Sequence, residues 1–84
     1  MFKYKTSYNS FMEKEFRNTL AHNLKVQRVR RNLTQEQLAE LVEISTKHVT
    51  KIENSKSTPS SYLLYKFSKV LKVSMDKLTE KDID

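Results

Sequence analysis

The sequence has 84 residues, which is enough for one small domain around a single core. It contains no glycine and no cysteine, so glycine-rich phosphate loops, disulfides and cysteine-ligated metal sites are excluded. Sixteen Lys and Arg residues against ten Asp and Glu residues give a net charge of +6, which favours a polyanionic partner. No apolar run approaches the roughly 20 residues of a membrane span, so we expect a cytoplasmic protein without a membrane partner.

Residues 1–9 mix aromatic and basic side chains without a sustained period, and we predict an N-terminal arm there. Ser10 and Glu13 form the S-x-x-E pattern that caps helices, which predicts a first helix over about residues 10–31. Its apolar residues recur at helical spacing: Met12, Phe16, Leu20, Leu24 and Val29. Two helices with a break near residues 18–23 are the alternative, because the residues there are indifferent helix formers.

A second and a third helix follow after short connections. Thr34 and Gln37 form a capping box for the second helix. Ser45 caps the third, which reaches about residue 54. The predicted core residues of these helices are Leu38, Leu41, Val42, Val49 and Ile52.

Two helices complete the chain. Pro59 suits the first turn of a fourth helix that ends near Lys72, and Ser74 caps a short fifth helix. Their predicted apolar residues are Leu64, Phe67, Leu71, Met75 and Leu78. The sequence therefore predicts a compact all-α domain of five helices over residues 10–79, followed by a polar tail at residues 80–84.

The third helix has a polar and basic outer side. At about 100° per residue, its polar residues lie opposite Val49 and Ile52. These polar residues are Thr46, Lys47, Thr50, Lys51 and Asn54. Such side chains can hydrogen-bond to base edges from a helix in the major groove. An ordinary solvated helix surface has the same composition, so this pattern alone leaves both interpretations open.

Three stretches of the chain carry a family resemblance at matching spacing: LTQEQLA at residues 33–39, KIEN at residues 51–54 and VSMDKL at residues 73–78. Together they resemble the phage repressor and Cro-like family of XRE-type helix-turn-helix transcription regulators. Ala39 matches the small residue needed where the two helices of the motif cross closely. The resemblance implies a repressor-like fold with its helix-turn-helix at residues 35–54. The family usually has glycine at four positions where this chain has Asn32, Glu43, Ser55 and Lys72.

The resemblance also implies roles for individual residues. The residues expected to contact base edges are Thr46, Lys47, Thr50 and Lys51. The residues expected to contact DNA phosphates are Gln35, Arg28, Ser45, Asn54 and Lys56. Gln35 also suits this role on physical grounds, because free amides at a helix amino terminus attract phosphate. Arg28 and Glu53 match an ion pair that joins the first and third helices, and His48 is a further phosphate candidate.

One recognition helix covers only a few base pairs, so we expect a homodimer that binds two half-sites about 34 Å apart. The fifth helix is too short to bury its apolar residues alone, which places the interface at the last two helices. The predicted interface residues are Leu63, Val70, Val73, Met75 and Leu78.

We therefore predict a sequence-specific transcription regulator that binds double-stranded DNA, is not an enzyme, and needs no cofactor or metal. With no sensor domain, its occupancy would follow its own concentration, as in restriction-modification controllers and small phage repressors. Activation would require contact with RNA polymerase, whereas repression needs only occlusion. The alternative is an antitoxin or other interaction module whose aromatic N-terminal residues bind a cognate protein partner.

Overall fold

The computed structural model describes the backbone of residues 2–81 and the side chains of residues 9–81. Over this range the chain is all-α, without a strand, as predicted. The five helices are α1 (Phe2–Arg30), α2 (Gln35–Val42), α3 (Thr46–Glu53), α4 (Ser61–Leu71) and α5 (Met75–Thr79). None of these helices combines the length and hydropathy of a membrane span. Residues 1 and 82–84, which belong to the predicted arm and tail, lie outside the described part of the chain.

The first helix is longer than predicted. It begins at Phe2, so the predicted start near Ser10 is wrong and the backbone of residues 2–9 is helical. Glu13 does not cap a helix start; its carboxylate accepts hydrogen bonds from Arg17 at 3.1 Å and Thr58 at 3.0 Å. Neither glycine nor proline occurs upstream to stop the helix. At about 43 Å, a helix of 29 residues accounts for the 45 Å long axis of the molecule.

The same helix runs unbroken through residues 18–23, where a break was the alternative. Leu20 and Leu24 are fully buried there. Asn23 donates from Nδ2 to the carbonyl oxygens of Leu78 at 3.0 Å and Glu80 at 2.8 Å. These contacts with the core and with the end of α5 outweigh the weak helix propensities of the segment.

One core lies between the five helices. Its fully or nearly buried residues are Leu20, Leu24, Leu38, Ala39, Val42, Val49, Ile52, Leu63, Leu64, Phe67, Leu71 and Leu78. Three predicted core residues lie at the surface instead: Met12, Val29 and Leu41 are 51%, 53% and 54% exposed. A strict four-residue spacing drifts by about 40° per step around a helix, which carries Met12 away from the stripe of Leu20 and Leu24. Leu41 lies outside the arc that Leu38 and Val42 define.

The starts of α2, α3 and α5 follow the predicted caps, whereas the start of α4 does not. The hydroxyls of Thr34, Ser45 and Ser74 each accept an amide at the start of α2, α3 and α5. At α4 the cap is Ser60, which accepts the amide of Leu63 at 3.1 Å. Pro59 is therefore not in the first turn; it lies buried just before the cap.

The helix ends use four left-handed residues that are not glycine. Asn32, Glu43, Ser55 and Lys72 have φ angles of 57°, 61°, 61° and 57°. These are the four positions at which the resemblance led us to expect glycine. The turns therefore have the left-handed backbone that glycine adopts most easily, and each non-glycine side chain adds a steric cost.

Candidate nucleic-acid interface

The turn between α2 and α3 sets the two helices close together. Glu43 adopts φ 61° and ψ 47° and ends α2. The amide of Ile44 then donates to the carbonyl oxygen of Ala39 at 3.0 Å, which closes the turn. Ala39 is only 2% exposed. A small side chain at this position lets the α2 and α3 backbones approach, so the direction of α3 is determined by tight packing.

The helix α3 presents a polar outer side. Val49 and Ile52 are fully buried and attach the inner side of the helix to the core. Thr46, Lys47 and Lys51 are exposed, as the sequence pattern predicts for residues that contact base edges. Thr50, the fourth predicted base contact, is half-buried, because its side chain lies against α2.

An ion pair joins α1 to α3. The Arg28 guanidinium donates from Nε to Glu53 Oε2 at 2.7 Å and from Nη2 to Oε1 at 3.0 Å. Its Nη1 donates to the carbonyl oxygen of Leu33 at 2.7 Å. The two charged side chains are 11% and 3% exposed. Arg28 therefore has little surface left for a DNA phosphate, and its hydrogen bonds join α1 to the end of α3 and to Leu33.

Gln35 joins the same hydrogen-bond network from α2. Its Nε2 donates to Glu53 Oε1 at 3.0 Å, and its Oε1 accepts from the Thr50 hydroxyl at 2.7 Å. Nothing in the sequence pattern indicated that Gln35 and Thr50 would meet, because they lie on different helices. The predicted phosphate contact at the start of α2 is thus connected to the side of α3 predicted to face bases.

The remaining predicted phosphate contacts lie at the two ends of α3. Ser45 is exposed at its start, and Asn54 and Lys56 are exposed just after its end. A shallow polar groove runs along this side of the helix. It is lined by Ser45, Lys47, His48, Lys51 and Ser57. Ser57 is a candidate that sequence reasoning missed, because a serine in a loop carries no periodic signal.

The structure separates the five predicted dimer residues into two groups. Leu63 is 5% exposed and Leu78 is completely buried, so both belong to the core of the chain itself. Leu78 faces inward because α5 packs against α1 and α4, which buries more of this short helix than we expected. Leu63 belongs to the core cluster from α4, which also packs against α2. Val70, Val73 and Met75 are half-buried and keep part of their apolar surface accessible.

Comparison with known proteins agrees with this geometry. A family model described as helix-turn-helix matches residues 24–78. No curated protein shows significant similarity to the chain. Among solved structures, the chain is similar to the hypothetical transcription factor NHTF from Neisseria, with 25% identity, a TM-score of 0.77, and coverage of 82% of this chain and 79% of the other.

Two further solved structures are similar to the chain. The clp gene regulator ClgR from Corynebacterium glutamicum has 25% identity and a TM-score of 0.72, over 75% of this chain and 67% of the other. The restriction-modification controller protein C.AhdI from Aeromonas hydrophila has 22% identity and a TM-score of 0.73, over 77% of this chain and 94% of the other. The last likeness shows the fold alone. The family match covers most of the chain and includes the turn and α3, and the chain therefore belongs to the helix-turn-helix family of DNA-binding transcription regulators.

Proposed function

We propose that this chain is a sequence-specific regulator that binds double-stranded DNA as a homodimer, with α3 in the major groove. The observation that carries the proposal is the outer side of α3, where Thr46, Lys47 and Lys51 are exposed on a helix whose inner side is held in the core. Lysine donates to O6 and N7 of guanine, and a threonine hydroxyl can donate or accept. A firmly held helix is needed because base contacts require accurate placement.

Phosphate contacts would position the protein on the duplex. Gln35 is half-buried at the start of α2, and Asn54 and Lys56 are exposed after α3. Ser45 Oγ accepts the amide of His48 at 3.1 Å, which leaves the hydroxyl hydrogen free to donate to a phosphate oxygen. These contacts fix orientation, and the net charge of +6 adds long-range attraction.

A homodimer would double the contact surface and restrict binding to paired half-sites. Val70, Val73 and Met75 supply the accessible apolar surface for this contact at the ends of α4 and α5. Leu63 and Leu78 are left out of the proposed interface, because both are buried in the core of the chain itself.

Regulation would follow from protein concentration and salt. We propose that the protein controls its own promoter, by occlusion of RNA polymerase or by contact with it. The Neisseria and Corynebacterium proteins are named as transcription factor and gene regulator, which supports a role in transcription.

The proposal is tested with the double variant Lys47→Ala, Lys51→Ala. We expect it to bind the upstream region of its own gene at least about 30-fold more weakly, because each good base contact contributes about 1 to 3 kcal/mol. The matched control is Lys14→Ala, Lys25→Ala, which removes the same charge from exposed positions of α1. Mobility-shift titration at fixed salt should show at most a small, sequence-independent loss for the control.

Equal losses for the two double variants on all fragments would contradict recognition through α3. Unchanged DNA affinity of the Lys47→Ala, Lys51→Ala variant would favour the alternative, a module that binds a protein partner. For that role α1 offers Phe11 and Met12, which are both exposed beside the half-buried Phe16.

A further inference from the structure

The hydroxyl of Thr50 is engaged within the protein. Its Oγ1 lies 2.7 Å from Oε1 of Gln35 and 3.1 Å from the carbonyl oxygen of Thr46, one turn earlier on α3. Both neighbours are acceptors, and a threonine hydroxyl has a single hydrogen, so it donates to the nearer oxygen, that of Gln35. Thr50 consequently has no hydrogen left to donate to a base edge.

The orientation of the Gln35 amide follows from Glu53. A carboxylate only accepts hydrogen bonds, so the amide nitrogen must face it, and Nε2 lies 3.0 Å from Glu53 Oε1. The amide oxygen therefore faces Thr50. Arg28 holds the same carboxylate from α1 through two hydrogen bonds. Only this orientation of the Gln35 amide gives every donor an acceptor in the network of Arg28, Glu53, Gln35 and Thr50.

This arrangement leaves one polar hydrogen of Gln35 for a ligand. An amide nitrogen has two hydrogens, and among the described residues only Glu53 accepts one from Gln35 Nε2. The other is available at the amino terminus of α2, where free backbone amides and the helix dipole favour phosphate. Because both ends of the amide are already held, Gln35 loses little side-chain freedom when DNA binds.

We infer that Thr50 is a positioning residue for the phosphate contact of Gln35 and is not itself a base contact. Its hydroxyl holds the Gln35 amide oxygen, so that the second amide hydrogen is directed to a DNA phosphate. The inference rests on the proposed function and refines it. It also connects the two kinds of contact, since Thr50 lies on the helix proposed to contact bases and Gln35 lies at the start of the helix proposed to contact phosphate.

The test uses Thr50→Val, which removes the hydroxyl and keeps the shape, and Thr50→Ser, which keeps the hydroxyl and removes the methyl group. Gln35→Ala and the double variant Gln35→Ala, Thr50→Val complete a cycle. The DNA probe is a duplex that the wild-type full-length protein enriches from a random pool, together with its single-base variants. Circular dichroism checks that each variant is folded.

We expect Thr50→Val to weaken binding to the selected duplex and to its single-base variants by the same factor, about fivefold. Thr50→Ser should bind like the wild type, and the double variant should be no weaker than Gln35→Ala. The dependence of affinity on salt should stay unchanged, because a neutral amide releases no counterion. Free of DNA, the side-chain amide signals of Gln35 in NMR spectra should shift in Thr50→Val and not in Thr50→Ser.

Two results would overturn the inference alone: a change of base preference in Thr50→Val or Thr50→Ser, or losses that multiply in the double variant. Unchanged Gln35 amide signals in Thr50→Val would also overturn it, whatever the DNA result. If the wild-type protein enriches no duplex, the proposed function fails and the inference fails with it. The two failures are therefore distinguishable.

Discussion

At the scale of single residues, the Arg28–Glu53 ion pair is a buried polar contact at the end of α3. It joins the first and third helices with both charged groups almost removed from solvent. Glu53 also accepts from Gln35, so loss of its positive partner would leave a buried carboxylate with one neutral donor. A buried charge without its partner costs far more than an exposed one.

We expect Arg28→Met to lower the free energy of unfolding by about 3 to 5 kcal/mol, since it keeps the bulk of the side chain and removes the charge. That is a large part of the total stability of a domain of this size. Urea denaturation followed by circular dichroism measures it. The matched control is Lys81→Met, which breaks the half-exposed pair with Glu15 and should cost at most about 1 kcal/mol. Similar midpoints for both variants would show that burial adds nothing to the Arg28 pair.

At the scale of secondary-structure elements, the turns are under steric strain. Glu43 and Lys72 end α2 and α4 in the left-handed conformation, and Asn32 and Ser55 adopt it in the turns after α1 and α3. For a residue with a Cβ this conformation costs on the order of 1 kcal/mol. The chain forms these turns without any glycine, so the capping hydrogen bonds and the core must offset that cost.

We expect Lys72→Gly to raise the free energy of unfolding by about 1 kcal/mol, since glycine removes the clash at φ 57°. The same substitution inside α4, Lys69→Gly, should lower it by about 1 kcal/mol through lost helix propensity. Thermal and urea unfolding measure the change in the free energy of unfolding for both variants. Two changes of the same sign would contradict the assignment of strain to the turn.

At the scale of the whole molecule, the contacts that we propose with DNA and with a second copy fall on different helices. The α3 side is polar and basic, whereas the ends of α4 and α5 keep half-buried apolar residues accessible. Nearby on α4, Tyr62 and Tyr65 are exposed and each lies beneath a lysine ammonium group. We therefore place self-association on the last two helices and away from α3.

We expect the wild-type protein to be a dimer at high micromolar concentration and low salt, and Val70→Lys to be a folded monomer. A lysine there can extend its stem along the core and still place its charge in the dimer contact. Light scattering after size exclusion measures the mass. Leu41→Lys, which changes an exposed apolar residue of α2, should remain dimeric. A monomeric wild type would remove the dimer from the proposal.

Much of the fold was predictable because its signals are local. Helix caps depend on residues three apart, and apolar stripes depend on residues three or four apart, so Thr34, Ser45 and Ser74 were correctly placed. The start of α1 was not predictable from the S-x-x-E pattern alone. Serine and glutamate three residues apart also occur inside helices. Here the Glu13 carboxylate accepts hydrogen bonds from Arg17 and from Thr58, which is 45 residues away in the sequence.

By itself, the sequence determined the existence of the helices, the caps of α2, α3 and α5 and the polar side of the segment after Ser45, because each depends on neighbours within about one helical turn. Only the tertiary structure decided that Leu63 and Leu78 are internal and that Gln35 meets Thr50. Those outcomes depend on how separate helices pack together. No pattern within one helix contains that information, since side chains 15 or more residues apart are brought into contact by the core as a whole.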